Sequence, residues 1–165
     1  MPIDFFQAGC RTESSIKIFG LCDNPPPATD PAYIDELDTS KWIGEVVKDD
    51  ELPVAFYAID HCVEVRRPNN DLAKRCDGIL VYRDNITFVE LKDRGSSGWV
   101  SGGRKQLTET ILFFKANHDI GVYSIADARI CNKQQPLAVT NIATEIQKLK
   151  DDTGLKLIVD RAIKI

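Results

Sequence analysis

The stretch from Arg75 to Arg94, RCDGILVYRDNITFVELKDR, constrains the fold more than any other part of the chain. Two apolar runs, GILVY and ITFV, flank a polar pair. This reads as a hairpin whose strands are covered on both faces. Three charges sit inside it: Asp77, Glu90 and Lys92. An ion removed from water must be paired, solvated or coordinated. The chain therefore sets a chemical problem in the middle of its sheet.

The register decides what the charges can do. With Asp84-Asn85 as a two-residue turn, Val81 faces Phe88, Ile79 faces Glu90 and Asp77 faces Lys92. Residues two apart on a strand share a face, so Glu90 and Lys92 point together and Leu91 points oppositely. Asp77 then lies across from Lys92 and diagonal to Glu90. All three converge on one face, at the end away from the turn. A one-residue slip would send Asp77 to the other face.

The rest of the chain supplies a frame for this hairpin. PAYIDELDTSKWIGEVVKDDE has helix-like spacing, with Leu37, Trp42 and Val46 on one stripe and Ser40 as a cap. PVAFYAIDHCVEVRR, rich in β-branched and aromatic residues, reads as a long strand. DRGSSGWVSGG reads as a flexible loop, and RKQLTETILFFKAN as an amphipathic helix through Leu107, Ile111 and Phe114. IGVYSIADARI reads as a strand. LAVTNIATEIQKLKDD reads as a second helix with Ile142, Ile146 and Leu149 on one face, and LKLIVDRAIKI as a last strand. The order is helix, three strands, helix, strand, helix, strand. It implies an α/β fold, a mixed sheet with helices on both faces. A length of 165 residues suits one domain. Residues 1–31 form an N-terminal extension with the proline-rich DNPPPATDP, residues 40–131 the core, and residues 132–165 a C-terminal helix and strand.

Composition narrows the setting. No apolar run approaches the ~20 residues of a membrane span. The N-terminus lacks the basic-then-apolar pattern of a secretory signal, so a cytoplasmic location is expected. The five cysteines are widely spaced without a CxxC pair, and only His61 and His118 could assist them. Zinc is not indicated, and reduced, buried thiols are expected. Charge is uneven: residues 1–60 hold 4 Lys/Arg against 12 Asp/Glu, a net of −8, whereas residues 61–115 hold 10 against 7, a net of +3. The basic middle can face phosphates. The acidic N-terminal third is either a solvated face or a surface for a partner protein or a second copy of the chain.

Two carboxylates at this separation repel unless a cation sits between them. Hard oxygen donors suit Mg²⁺, with Mn²⁺ as a substitute, bound with waters and a substrate phosphate. The lysine on the same face can orient a water or stabilise developing negative charge. These parts make a phosphodiester hydrolysis site. The competing reading is a structural Asp77–Lys92 salt bridge with Glu90 beside it. In the following loop, Arg94, Arg104 and Lys105 supply charge toward a nucleic-acid backbone and Trp99 could stack on a base; the competing reading folds Trp99 back onto the core. No P-loop, GxGxxG, GxSxG or HExxH pattern is present.

CDGILV, then TFVELK, then a helix beginning RKQL resembles the PD-(D/E)XK nuclease superfamily, the restriction-endonuclease-like fold. The resemblance covers roughly residues 40–131 and implies a core order α-β-β-β-α-β. It implies that Asp77 and Glu90 bind magnesium, that Lys92 is the catalytic lysine, and that Gln106 on the following helix joins the site. It also implies a Glu on the first helix, for which Glu45 is the best-placed residue. Cys76 stands where the motif's name has proline. The expected activity is metal-dependent cleavage of nucleic acid, DNA before RNA. The alternative is a non-catalytic accessory or regulatory subunit of the same fold that binds protein or nucleic acid.

Overall fold

The computed structural model describes residues 2–134 and 142–165. Among these residues the strands are β1 (Arg11–Ser14), β2 (Ile18–Cys22), β3 (Tyr33–Asp35), β4 (Gly44–Val47), β5 (Val54–Ala58), β6 (Gly78–Tyr82), β7 (Asn85–Lys92), β8 (Ile125–Asn132), β9 (Lys156–Val159) and β10 (Ala162–Lys164). The helices are α1 (Trp99–Asn117) and α2 (Ile142–Thr153). One sheet has six strands in the order β1-β5-β6-β7-β8-β9, and a second has four in the order β10-β4-β2-β3. In the larger sheet β1, β5, β6 and β7 pair antiparallel, while β7, β8 and β9 pair parallel. The helices make the two parallel crossovers, as parallel neighbours require. The fold is mixed α/β.

Strand β7 lies at the centre and is buried from Ile86 to Leu91. That burial explains its unbroken apolar run. On one face Phe88 packs against Phe114 of α1, ring centroids 5.2 Å apart. On the other, Leu91 and Cys131 press against Gly44 of β4, where an added methyl would lie 3.1 Å from the Cys131 sulfur. Helix α2 runs beside α1 and is tied to it by the Arg104–Glu145 ion pair at 2.7 Å. Helices therefore cover one face of the large sheet and the small sheet covers the other. The sequence pattern suggested helices on both.

The difference arises in residues 31–51. The expected first helix is instead β3, a single 3-10 turn at Thr39–Lys41 and β4. Asp38 caps the turn by accepting from the Ser40 N–H at 3.1 Å. Trp42 lies over Gly20 of β2, where any side chain would collide with the indole, and its Nε1 donates to Asp35 at 2.9 Å. Trp42 and Val46 are buried as expected, but residues four apart share a face in a strand as well as in a helix. Leu37, assigned to the same stripe, is 92% exposed.

Two further boundaries move. Strand β5 ends at Ala58, and the chain turns through Asp60 and His61, the latter left-handed at φ 61. Val63 and Val65 beyond it are buried without belonging to the ladder. Helix α1 begins at Trp99, after Gly98 at φ 86, so half of the expected glycine-rich loop is helical. Residues 137–141 of the expected second helix lie outside the described residues.

The turn after β5 also corrects the cysteine expectation. It brings Cys62 to Cys10, Cα atoms 5.9 Å apart, and the two form a disulfide. Antiparallel pairing of β1 with β5 closes a sequence separation of 52 residues. Cys22, Cys76 and Cys131 are buried free thiols, in line with the expectation.

Candidate functional site

The β6–β7 hairpin pairs Tyr82 with Asn85 and Gly78 with Val89, around a turn at Arg83-Asp84. Arg83 takes a left-handed conformation, φ 54, to close it. The register differs from the expected one by two residues. A shift of two keeps every side chain on its face, but it moves Asp77 from opposite Lys92 to opposite Glu90. Asp77 sits one residue before β6, and its Oδ2 accepts from the Leu91 N–H at 2.7 Å.

Glu90 points toward α1, as Phe88 does two residues earlier. Its Oε1 pairs with Lys92 Nζ at 2.9 Å. The Lys92 ammonium also donates to Gln106 Oε1 at 2.7 Å, and Gln106 Nε2 donates to the Arg75 carbonyl at 3.2 Å. The structure thus brings Asp77, Glu90, Lys92 and Gln106 together at the open end of the hairpin. Lys92 makes its ion pair with Glu90, not with Asp77. Gly103 of α1 permits the approach: an added Cβ would lie 3.1 Å from Ile130 Cδ1 and 3.3 Å from Glu90 Cγ.

This end of the hairpin is short of positive charge. Glu90 is 2% exposed and Asp77 6%. Glu90 Oε2 is buried without a hydrogen-bond partner among the described residues. Burial pushes the Glu90 carboxyl up to about 7 despite the opposing pull of Lys92. Burial, then repulsion from Glu90 and Asp23, drives Asp77 well above the usual carboxylate range. Such a pair holds a proton or a cation more tightly than an isolated carboxylate does.

The remaining expected residues separate. Glu45 lies on β4, in register with Gly20 and Ala162. Its neighbours Gly44 and Val46 face inward, so alternation turns Glu45 away from the large sheet, and it does not reach the carboxylate pair. Trp99 is 5% exposed, packed in the core and closed to base stacking. Arg104 is committed to Glu145, both side chains nearly covered. Arg94 and Lys105 are exposed.

Three neighbours escaped the sequence reading. Asp23, directly after β2, lies beside Asp77, and burial followed by repulsion from Asp60 raises its carboxyl. Asp60 holds Arg75 at 3.2 Å and His61 at 3.4 Å. Each acid directly follows a strand or lies two residues beyond one. That is the signal they offered, since strand ends gather at sheet edges. Asp60 and Arg75 line an open cleft of about 350 Å³ with Ala73, Lys74, Gly102 and Gln106.

Among the described residues no group of three or more His, Cys, Asp or Glu side chains is placed to hold a metal ion. Asp77 and Glu90 place two buried carboxylates at this end of the hairpin. No helix among the described residues is long and apolar enough to cross a membrane. No protein-family model, curated protein or solved structure matches the chain.

Proposed function

We propose that the chain is a metal-dependent nuclease of the PD-(D/E)XK kind, hydrolysing phosphodiester bonds of nucleic acid, DNA before RNA. One observation carries the reading. Glu90 is buried opposite Asp77, with one oxygen on Lys92 and the other without a partner among the described residues. Buried carboxylate oxygens are ordinarily partnered, so this one invites a ligand. The β5-β6-β7-α1-β8 succession supports the restriction-endonuclease-like arrangement, without its leading helix.

Asp77 and Glu90 would hold Mg²⁺ or Mn²⁺, which binds through one or two carboxylates and keeps several waters. Bound there, the ion would polarise a phosphoryl oxygen and supply hydroxide near neutral pH. The Leu91 N–H fixes Asp77 in place. Lys92, whose ammonium lies beside Glu90, stabilises negative charge developing on the phosphoryl oxygens. Gln106 is a positioning residue, holding Lys92 from the helix side.

The test is incubation with single-stranded and duplex DNA and RNA, with Mg²⁺, with Mn²⁺ and with chelator. Cleavage that requires the metal and disappears in Asp77→Ala, Glu90→Ala and Lys92→Ala supports the reading. Cleavage at the parental rate in any of the three removes the role assigned to that residue. One observation favours a non-catalytic subunit of the same fold: Lys92 is already held by two acceptors, Glu90 and Gln106. Calorimetry with Mn²⁺ separates the two, because a binding subunit has no need of metal at this hairpin. The cytoplasmic setting is part of the same proposal, and the Cys10–Cys62 disulfide stands against it. A reducing cytoplasm would keep Cys10 and Cys62 as thiols, so counting free thiols after rapid alkylation tests it.

A further inference from the structure

The cleft beside the carboxylate pair has features that packing alone does not explain. Its wall is shared with the site, since Gln106 contacts Lys92 on one side and the Arg75 carbonyl on the other. The Arg75 guanidinium is anchored twice, by Nη1 to the Val63 carbonyl and by Nη2 to Asp60, both at 3.2 Å. Its Nε is buried and has no partner among the described residues. Lys74 next to it is exposed, while its backbone N–H is held by Glu109 at 2.9 Å.

Gly102 of α1 also lines the cleft. It lies inside α1, where glycine is unfavourable relative to alanine. An added Cβ there would meet no described residue within 4 Å. Packing therefore does not require glycine at this position, in contrast to Gly103 one residue on. What glycine provides is clearance in the cleft for a backbone that approaches closely.

We propose that this cleft seats a phosphate of the nucleic-acid strand adjacent to the one being cleaved, bound by the Lys74 ammonium and the Arg75 guanidinium above Gly102. Asp60 also lines the cleft and offsets part of the Arg75 charge, so the exposed ammonium of Lys74 carries most of the attraction. The proposal rests on reading Asp77, Glu90 and Lys92 as the cleavage site.

The experiment measures binding of a fluorescein-labelled DNA oligonucleotide, single-stranded and duplex, by anisotropy in chelator across a salt series. Cleavage is followed separately with Mn²⁺. Lys74→Ala is expected to weaken binding about threefold or more and to lower the slope of log K against log salt by about 1. Gly102→Ala is expected to raise Tm by about 2–4 °C, as a helix glycine replaced by alanine should, yet to weaken binding. Gly102→Leu weakens it further. Parental binding and salt slope in both Lys74→Ala and Gly102→Leu would overturn the phosphate seat, whatever the cleavage result. Absence of any DNA binding by the parental protein would overturn it as well. If the slope changes as expected but no metal gives cleavage, the seat stands and the nuclease reading falls.

Discussion

At the turn end of the β6–β7 hairpin, the Asp50 carboxylate accepts hydrogen bonds from the Tyr82 hydroxyl, the Leu52 N–H and the Arg83 guanidinium. The Tyr82 bond, with smaller help from Leu52, Arg83 and Lys48, holds its carboxyl down at about 2. At the open end, about five residues along the same strands, burial drives the Glu90 carboxyl up to about 7, and one of its oxygens has no partner among the described residues. The two ends share sheet, strands and residue chemistry. They differ in whether donors were supplied. Where donors match acceptors, a carboxylate is a structural clasp; the shortfall at the open end is what the proposed metal site rests on.

Neutralising one carboxylate at each end gives the largest contrast. On the proposed nuclease reading, Glu90→Gln is expected to lower metal-dependent cleavage by about 100-fold or more, since it removes one of the two carboxylates proposed to hold the metal. Asp50→Asn should leave cleavage at the parental rate and lower thermal stability. Initial rates on the preferred nucleic acid and melting curves of both variants decide it. Equal loss of cleavage in both would mean that the hairpin acts as a scaffold with no privileged end.

Metal should act at one end only. A divalent ion at 100 times its Kd stabilises the native state by about 2.7 kcal/mol, or about 5–10 °C in Tm for a chain of this size. Mn²⁺ is expected to produce such a rise in the parental protein and in Asp50→Asn, and to lose it in Glu90→Gln. A rise that survives in Glu90→Gln would place the ion elsewhere.

The same contrast shows what was legible beforehand. The strands of the hairpin, the shared face of Asp77, Glu90 and Lys92, and the place of Gln106 on the next helix could be read from period and spacing. They survived a wrong register because the error was two residues, and a period of two forgives an even slip. The turn itself was misread because Arg83, a residue with no preference for positive φ, adopts it. The region around Trp42 was misread because a four-residue spacing fits both helix and strand. Glu45 fell with that helix. Asp23, Asp60 and Arg75 were not found because they reach the site from separate segments, and nothing local ties them to it. Trp99 and Arg104 looked available only while the helix was thought to begin after Gly103.

The pH dependence of stability should break at opposite limits for the two ends. Glu90 has a folded value raised from 4.5 to about 7. Its contribution is complete below its unfolded value and is lost as pH rises through about 7. At about 1.36 kcal/mol per pH unit, that loss is on the order of 3 kcal/mol without metal. Asp50 has a folded value lowered from 3.8 to about 2, so its support is present above 3.8 and disappears as pH falls through about 2. Denaturant melts of metal-free protein between pH 4 and pH 8 should therefore show falling stability, and Glu90→Gln should flatten the fall. A parental profile that stays flat over this range would show Glu90 to be solvated, and the charge deficit at the open end would not exist.

The smallest effect is expected from Arg83→Gly. It removes one donor from Asp50, but exposed ion pairs contribute little, and glycine accepts the left-handed turn that arginine adopts at φ 54. The two changes oppose each other, so Tm should move by no more than about 2 °C. Metal response and cleavage should match the parental protein, because the register is also set by the inward face of β7. A large drop in cleavage would show instead that the turn alone holds the register. Asp77 would then be free to slip from its place opposite Glu90, and the two ends of the hairpin would be one coupled device.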